Sequence, residues 1–444
     1  MKQRGRHRRR RRGAALRAVL TGTALALTAA ATLISTSQAQ VTERPGALQP
    51  LTSPADTGLL RLREHLVPAR TLDTLAASMG RPVGVDAVLA SADRALREGS
   101  GCTDTDRASL PVAPSPARAY CWDPADTGAT GWRPASVTAA GDTGDDGVRG
   151  AHRVLLSGWT HSTRTGPSAE RGLARVAFVD ADDPDRPTYR WVLLVVPEDG
   201  GRDYRGLGSR VSSMVWYRDK LLVTARRGGA AALYVYDLDR IQRATVDGPA
   251  IGRVRGGWSA DGYRYVMPAV GSYSFTAGDC SAGGAPCPGA LSLDAGTAPP
   301  SLVAAEWTSP GGDRPARLWR YAFSTDPRRA GLLAADAGGR VDAVEEYRTK
   351  VTGIRGLLSY REAGAPRTSW YVGRLPGSQD GHGGLWRQDT EGAKAAQCGA
   401  DATQRCWAES PGSLAYGRDS GEVWSLSDRM LFAVPLTELD RSLG

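Results

Sequence analysis

A loose repeat of about seventy residues, assembled from short apolar runs, constrains this chain more than any other feature. A small residue followed by an aliphatic one opens a two-strand unit at Ser136-Val137, Ser213-Met214, Gly353-Ile354 and Ser413-Leu414. The separations are 77, 140 and 60 residues, and the middle one is twice the unit, so a degenerate copy is expected between residues 285 and 305. After three openings an aromatic leads through a turn to a second strand: Trp216-Tyr217-Arg218-Asp219 before Leu221, Tyr360 before Trp370, and Tyr416-Gly417-Arg418-Asp419 before Val423. A repeat four strands long has the size of a propeller blade. Innermost blade strands converge on an axis, where a small side chain fits beside an aliphatic one that faces the next blade.

The runs from about residue 117 onward are four to seven residues of Val, Leu, Tyr and Trp broken by Gly, Pro and Asp, as at Arg153–Ser157, Arg190–Val196, Leu318–Phe323 and Met430–Val434. No long amphipathic pattern alternates with them, so the fold class is all-β, a β-propeller with a short helical N-terminal prefix. Grouping the strands gives blades at 131–197, 210–276, 289–348, 351–408 and 411–438. Five blades is the preferred count; six or seven fit the same pattern, and a β-sandwich is the structural rival. The last group has three strands, and Ala117–Trp122 is expected to supply its fourth, joining the two ends of the domain.

The N-terminus reads as an export signal over 1–39, with a basic segment to Arg17, an apolar run from Ala18 to Ile34, and cleavage after Ser37-Gln38-Ala39, by the Sec or the Tat route. The formal net charge of +9 resides there: nine of the 56 basic residues precede position 40, and the remaining 47 balance the 47 acids. Nucleic acid is thereby excluded as a partner, and no membrane association is expected after cleavage. Residues 40–55 read as a mobile leader. A helical prefix over 56–100 follows from the near-helical spacing of Leu59, Leu60, Leu62 and Leu66, then Leu72, Leu75 and Met79, then Val85, Val88, Leu89, Ala92 and Leu96. The propeller domain takes 101–440.

All six cysteines lie beyond the signal, an even count that favours disulfides in an exported chain. They fall in three local pairs, and short loops close at the lowest entropic cost, so the expected bridges are Cys102–Cys121, Cys280–Cys287 and Cys398–Cys406. Zinc is disfavoured, because no C-x-x-C spacing or mixed Cys/His cluster occurs.

Residues 211–225 (VSSMVWYRDKLLVTA), 233–241 (LYVYDLDRI) and 413–427 (SLAYGRDSGEVWSLS) resemble the blades of secreted actinobacterial β-propeller-like proteins of unestablished activity, whose repeats are similar to lactonase-like and NHL-type propellers. The likeness covers roughly 117–437 and implies a propeller fold and an exported protein. Enzymes among lactonase-like propellers hold a divalent metal on acidic and Asn side chains at the axis. Here the four opening positions carry Ser136, Ser213, Gly353 and Ser413, so the resemblance does not carry that activity over.

Motifs for chemistry are sparse. No G-x-S-x-G or H-E-x-x-H occurs, and His65, His152, His161 and His382 make no metal cluster by spacing. The acidic stretches Asp142–Gly147 and Asp180–Asp185 lack the twelfth-position Glu of a calcium loop and read as hairpin turns, so no cofactor is expected, with Ca²⁺ the alternative. Four candidate binding residues remain. Trp159 and His161, at a strand end, are expected near a funnel mouth, while Asp261 and Glu306 are the acids that fit a position facing the funnel, with Glu422 a weaker third. Trp216, Trp370 and Trp424 recur at blade positions and read as wedges between blades. The reading is a secreted module that binds a polysaccharide or protein at the cell surface; the alternative is an extracellular hydrolase or lactonase-like enzyme with a carboxylate or metal site in the funnel.

Overall fold

Runs such as Val154–His161 and Ala174–Asp180 are apolar on both faces, and nearly every residue in them is buried. A strand with two buried faces needs a packing layer on each side of its sheet. The computed structural model describes residues 45–127, 131–139, 152–161, 172–227, 230–280, 284–362, 364–377 and 381–444; the proposed export signal lies outside them. Pro45–Gly444 forms one unit.

Its strands fall into antiparallel groups in a mostly β, propeller-like arrangement. The first group is Trp132–Ala139, Val154–His161, Ala174–Asp180 and Thr188–Glu198. The second is Met214–Tyr217, Lys220–Arg227, Ala230–Asp237 and part of the long strand Tyr265–Phe275. That long strand also pairs in parallel with the first group, through Val266 and Leu193, and stitches the two outer edges together. The third is Pro288–Asp294, Ser301–Glu306, Ala316–Ala322 and Glu345–Thr349, and the fourth is Ile354–Tyr360, Ser369–Arg374, Gly384–Gln388 and Ala393–Ala395. The fifth is Ala415–Gly417, Glu422–Leu426 and Met430–Pro435, joined by Arg118–Cys121 as its fourth strand.

Separate apolar cores lie between successive groups. One unites Leu156, Phe178 and Val192 with Trp216 and Val223; the next joins Val215 and Leu222 to Leu302 and Trp319. Val303 and Leu318 pack on Leu357 and Trp370, and Leu358 and Tyr371 pack with Trp407, Val423 and Phe432. The last core returns to the start, placing Trp424 and Leu431 against Leu155 and Val179 of the first group. A sandwich has one layer between two sheets; here each group is packed on both sides. The wedge positions expected of Trp216, Trp370 and Trp424 are occupied as such, and Trp319 and Trp407 fill the other two layers.

The innermost strands show what the small residue does. Ser413 Oγ accepts from Val137 N at 2.7 Å and donates to Val137 O at 2.9 Å, tying the fifth group to the first. Ser213 Oγ does the same to Leu291 N and O, at 2.8 and 3.1 Å, tying the second to the third. Leu291 follows Ala290, and this pair is the missing repeat copy. In the fourth group the pair is Gly356-Leu357, three residues beyond the expected Gly353-Ile354. A register irregularity just before Ser136, Ala290 and Gly356 aligns the three strands, and a Cβ on Gly356 would stand 2.9 Å from Leu414 Cγ, so glycine is required by close approach.

The N-terminal segment is less helical than its spacing suggests. Ala69–Met79 and Val85–Leu89 are helices, packing Leu75, Met79, Val85, Val88 and Leu89 into the cores of the first group. Leu62–Leu66, however, is a strand on the edge of Tyr265–Phe275, because that strand and Arg340–Val341 offer it unpaired backbone on both sides. Beyond Leu89 the chain forms the short strands Arg94–Ala95 and Arg97–Glu98. The stretch expected as a leader is also engaged from residue 45: Leu48 is buried and Gln49–Pro50 pairs with Tyr347 and Arg348.

Cys102–Cys121, Cys280–Cys287 and Cys398–Cys406 are bonded, with Cα atoms 5.8, 4.9 and 5.8 Å apart. The first ties Arg118–Cys121 to the preceding loop beside the joined chain ends. Among the described residues no helix is long and apolar enough to cross a membrane.

Candidate functional site

The residues singled out in the sequence are placed differently from expectation. Trp159 and His161 are 0% and 1% exposed, so they do not stand at an open mouth. Trp159 packs edge-on against Trp122 and Trp191, and Trp132 packs edge-on against His161. Arg175 runs through the middle of this group, its Cζ 3.6 Å from the Trp191 ring centre and 4.3 Å from that of Trp132. Its charge is met by Asp126 at 3.2 Å, which also accepts from Tyr189 Oη at 2.7 Å and from Trp191 Nε1 at 3.0 Å. Burial, then the Asp126 charge, pushes the Tyr189 phenol far up, so it remains a donor. The short helix Pro124–Thr127 delivers Asp126. This cluster locks that helix onto the first group: a structural use of Trp159, with every polar member of the Arg175–Asp126 pair facing protein.

Glu306 ends the second strand of the third group and is 1% exposed. Arg317 grips it with Nε and Nη2 at 2.8 and 3.0 Å, and Arg314 adds a contact at 2.7 Å. Such a fork-to-fork pair consumes the carboxylate. Asp261 has φ 53° in the turn after Gly257–Ala260, a hairpin strand whose partner Ile251–Val254 packs on Asp203–Gly206 at the outer edge of the first group. Glu306 is engaged by two arginines, Asp261 lies in a turn at the outer edge, and the two are not brought together. The acids of Asp180–Asp185 cap turns: Asp180 and Asp183 accept from the backbone of Asp182 and Asp185 at 3.1 and 3.0 Å, and Asp182 accepts from Arg153 N at 2.6 Å. His152 Nδ1 lies 2.6 Å from Asp182, and this partner raises the imidazole pKa. The Asp142–Gly147 stretch lies outside the described residues.

Sequence reasoning missed a cleft between the fifth and first groups. Leu96, Val154, Leu155, Val179, Leu431 and the Trp424 ring form its apolar wall. Tyr120 and Trp424 stack with centroids 6.4 Å apart and planes 11° from parallel. Burial pushes the Tyr120 phenol up, against the opposing charge of Arg118, and it donates to Pro184 O at 2.9 Å. Two ion pairs flank the opening: Arg118 with Glu422 at 3.1 Å and Arg153 with Asp419 at 3.3 Å. Glu422 had stood among the funnel acids; it belongs to this seam. Its partner is 304 positions away, which no local pattern reveals. Chemically the cleft is a seam of largely buried aromatic and aliphatic side chains, the core side chains of the two groups, rimmed by charged donors and acceptors.

No protein-family model matches the chain, and no curated protein matches it. Among solved structures it is similar to the PQQ-bound aldose sugar dehydrogenase of Streptomyces coelicolor, at 12% identity and a TM-score of 0.28 over 66% of this chain and 83% of that one. It is also similar to extracellular domains 1–2 of Drosophila semaphorin 1a, at 11% identity and a TM-score of 0.24 over 81% of this chain and 87% of that one. Likenesses this low say nothing of what the chain binds or does.

Proposed function

We propose that this chain is an exported, disulfide-stabilised five-bladed β-propeller that binds a polysaccharide at the cell surface through the cleft between its last and first blades. Five four-strand groups, each sharing a core with the next and the fifth with the first, support the blade count. Three local disulfides fit an oxidising compartment.

The observation that carries the binding reading is the lining of the cleft. Sugar rings present C–H faces that pack on aromatic surface, and hydroxyls that bond to charged planar groups; the exposed edges of the mutually stacked Trp424 and Tyr120, and the Arg118–Glu422 and Arg153–Asp419 pairs, supply both. The hydrolase reading has less support, because Glu306 is held by two arginines and Asp261 sits in a peripheral turn.

Isothermal titration with a panel of soluble cell-wall and capsular oligosaccharides tests it. At least one member is expected to bind saturably, and Arg153→Ala and Asp419→Ala are each expected to weaken it by roughly tenfold, the size of a lost charge-assisted hydrogen bond. Failure of the whole panel to bind, or wild-type affinity in both variants, overturns the reading.

A further inference from the structure

The inner strands carry a second feature, at the end where they begin. The cleft between the last and first groups opens beside Ala139, Arg153 and Gly417, where inner strands finish. At the opposite end, irregular register leaves one residue unpaired between Pro134 and Ser136, between Pro288 and Ala290, and between Ile354 and Gly356. These residues are Ala135, Gly289 and Arg355, and the matching ones before Ser213 and Ser413 are Ser212 and Gly412. A bulged residue leaves the ladder and has its side chain re-aimed. Four of the five are Gly, Ala or Ser, so the strands approach through backbone: a Cβ on Gly289 would stand 3.1 Å from Ile354 O, and one on Gly412 3.2 Å from Ala135 O. Arg355 alone carries a long side chain.

That guanidinium lies over the Trp307 ring, its Cζ 4.4 Å from the centre. Trp307 follows the third group's Ser301–Glu306, and Arg210 stands three residues ahead of Ser213 in the second group. Three successive groups thus each send one residue to the same end. Among the described residues Arg355 and Arg210 have no carboxylate or hydrogen-bond partner, whereas the buried Arg175, Arg317 and Arg320 all do. Burial first, then the like charge of Arg210, pulls the Arg355 guanidinium down to about 10, so it stays charged at neutral pH. Arg355 is half-buried and Arg210 exposed, and a partly desolvated cation beside a like charge is costly unless an anion completes the arrangement.

We propose that this end of the molecule is an oxyanion-binding site, in which Arg355 and Arg210 together hold a carboxylate or phosphate group of a ligand and Trp307 packs against the moiety that carries it. The planar guanidinium fork matches both anions in two-point contact, and the half-buried Arg355 holds one partly shielded from water. The site is at the other end of the inner strands from the cleft, so it stands or falls separately from polysaccharide binding there.

Isothermal titration and thermal unfolding of the full chain with inorganic phosphate, with glucuronate and with sodium chloride at matched ionic strength test the proposal. Phosphate or glucuronate, and not chloride, is expected to bind and raise Tm, and the better probe separates a phosphate ligand from a sugar acid. Arg355→Gln is expected to abolish the effect and Arg210→Gln to weaken it at least tenfold, while Arg355→Gln without probe unfolds at or above the wild-type Tm because an uncompensated charge is gone. Arg355→Lys keeps the charge but not the fork, and is expected to lose most of the affinity while keeping the fold. No shift with either probe, or equal shifts in wild type and all variants, overturns the proposal.

Discussion

Glu306 lies under the guanidinium groups of Arg314 and Arg317, Asp294 meets Arg320 at 2.6 Å, and Asp126 meets Arg175. Glu306 and Arg317 sit on neighbouring strands, Asp294 and Arg320 on strands one apart in the same group, and Asp126 on a short helix folded over the first group, so a carboxylate that looks available in the sequence is already engaged. Removing one partner leaves a buried charge unpaired, and Glu306→Ala is expected to lose about 3–5 kcal/mol of stability in urea unfolding. Trp159→Ala is expected to cost a similar ~3–5 kcal/mol, as a cavity in an aromatic cluster, with oligosaccharide affinity at the cleft unchanged. A Trp159 variant of wild-type stability with weakened binding would show that the residue faces a ligand after all. The residue types at these positions were legible in the sequence. Their roles were not, because Arg314 and Arg317 reach Glu306 only once the hairpin between strands has closed, and Arg175 reaches Asp126 across 49 positions.

At the scale of the strand, the small-aliphatic pair was the most readable signal, and its chemistry explains why. A serine at the inner edge can bond both backbone groups of the next group's inner strand, as Ser213 and Ser413 do. Among the described residues Ser136 Oγ has no hydrogen-bond partner. Ser413→Ala is therefore expected to strand two buried backbone groups of Val137 and cost about 1–3 kcal/mol, while Ser136→Ala is expected to be neutral or slightly stabilising in the same unfolding experiment. Equal effects of the two substitutions would contradict the tie. One of the five copies was located only as a gap between 285 and 305 and another was misplaced, each for a definite reason. Ala290-Leu291 hides among Pro286, Cys287, Pro288 and Gly289, and the bulge at Arg355 moves the fourth copy from Gly353 to Gly356. Leu59 to Leu66 has helical spacing, yet a waiting sheet edge overrides it, as tertiary pairing routinely overrides local preference.

Across the whole molecule the chain closes on itself through one short strand. Arg118–Cys121 pairs with Met430–Ala433 on one side and with Arg97–Glu98 on the other, Ala117 N donates to Ala433 O at 2.9 Å, and Cys102–Cys121 fixes the preceding loop. The sequence anticipated this strand because the last group was one short; it gave no hint that the closure also builds the cleft with Arg118, Tyr120, Glu422 and Trp424. Both the fold and the proposed binding surface depend on that closure, and amide hydrogen exchange of the full, oxidised chain tests it most directly. The amides of Arg118–Cys121 are expected to be protected to the same degree as those of Met430–Ala433, exchanging only with global unfolding. Exchange of Arg118–Cys121 at the rate of exposed loop amides, with Met430–Ala433 still protected, would contradict it.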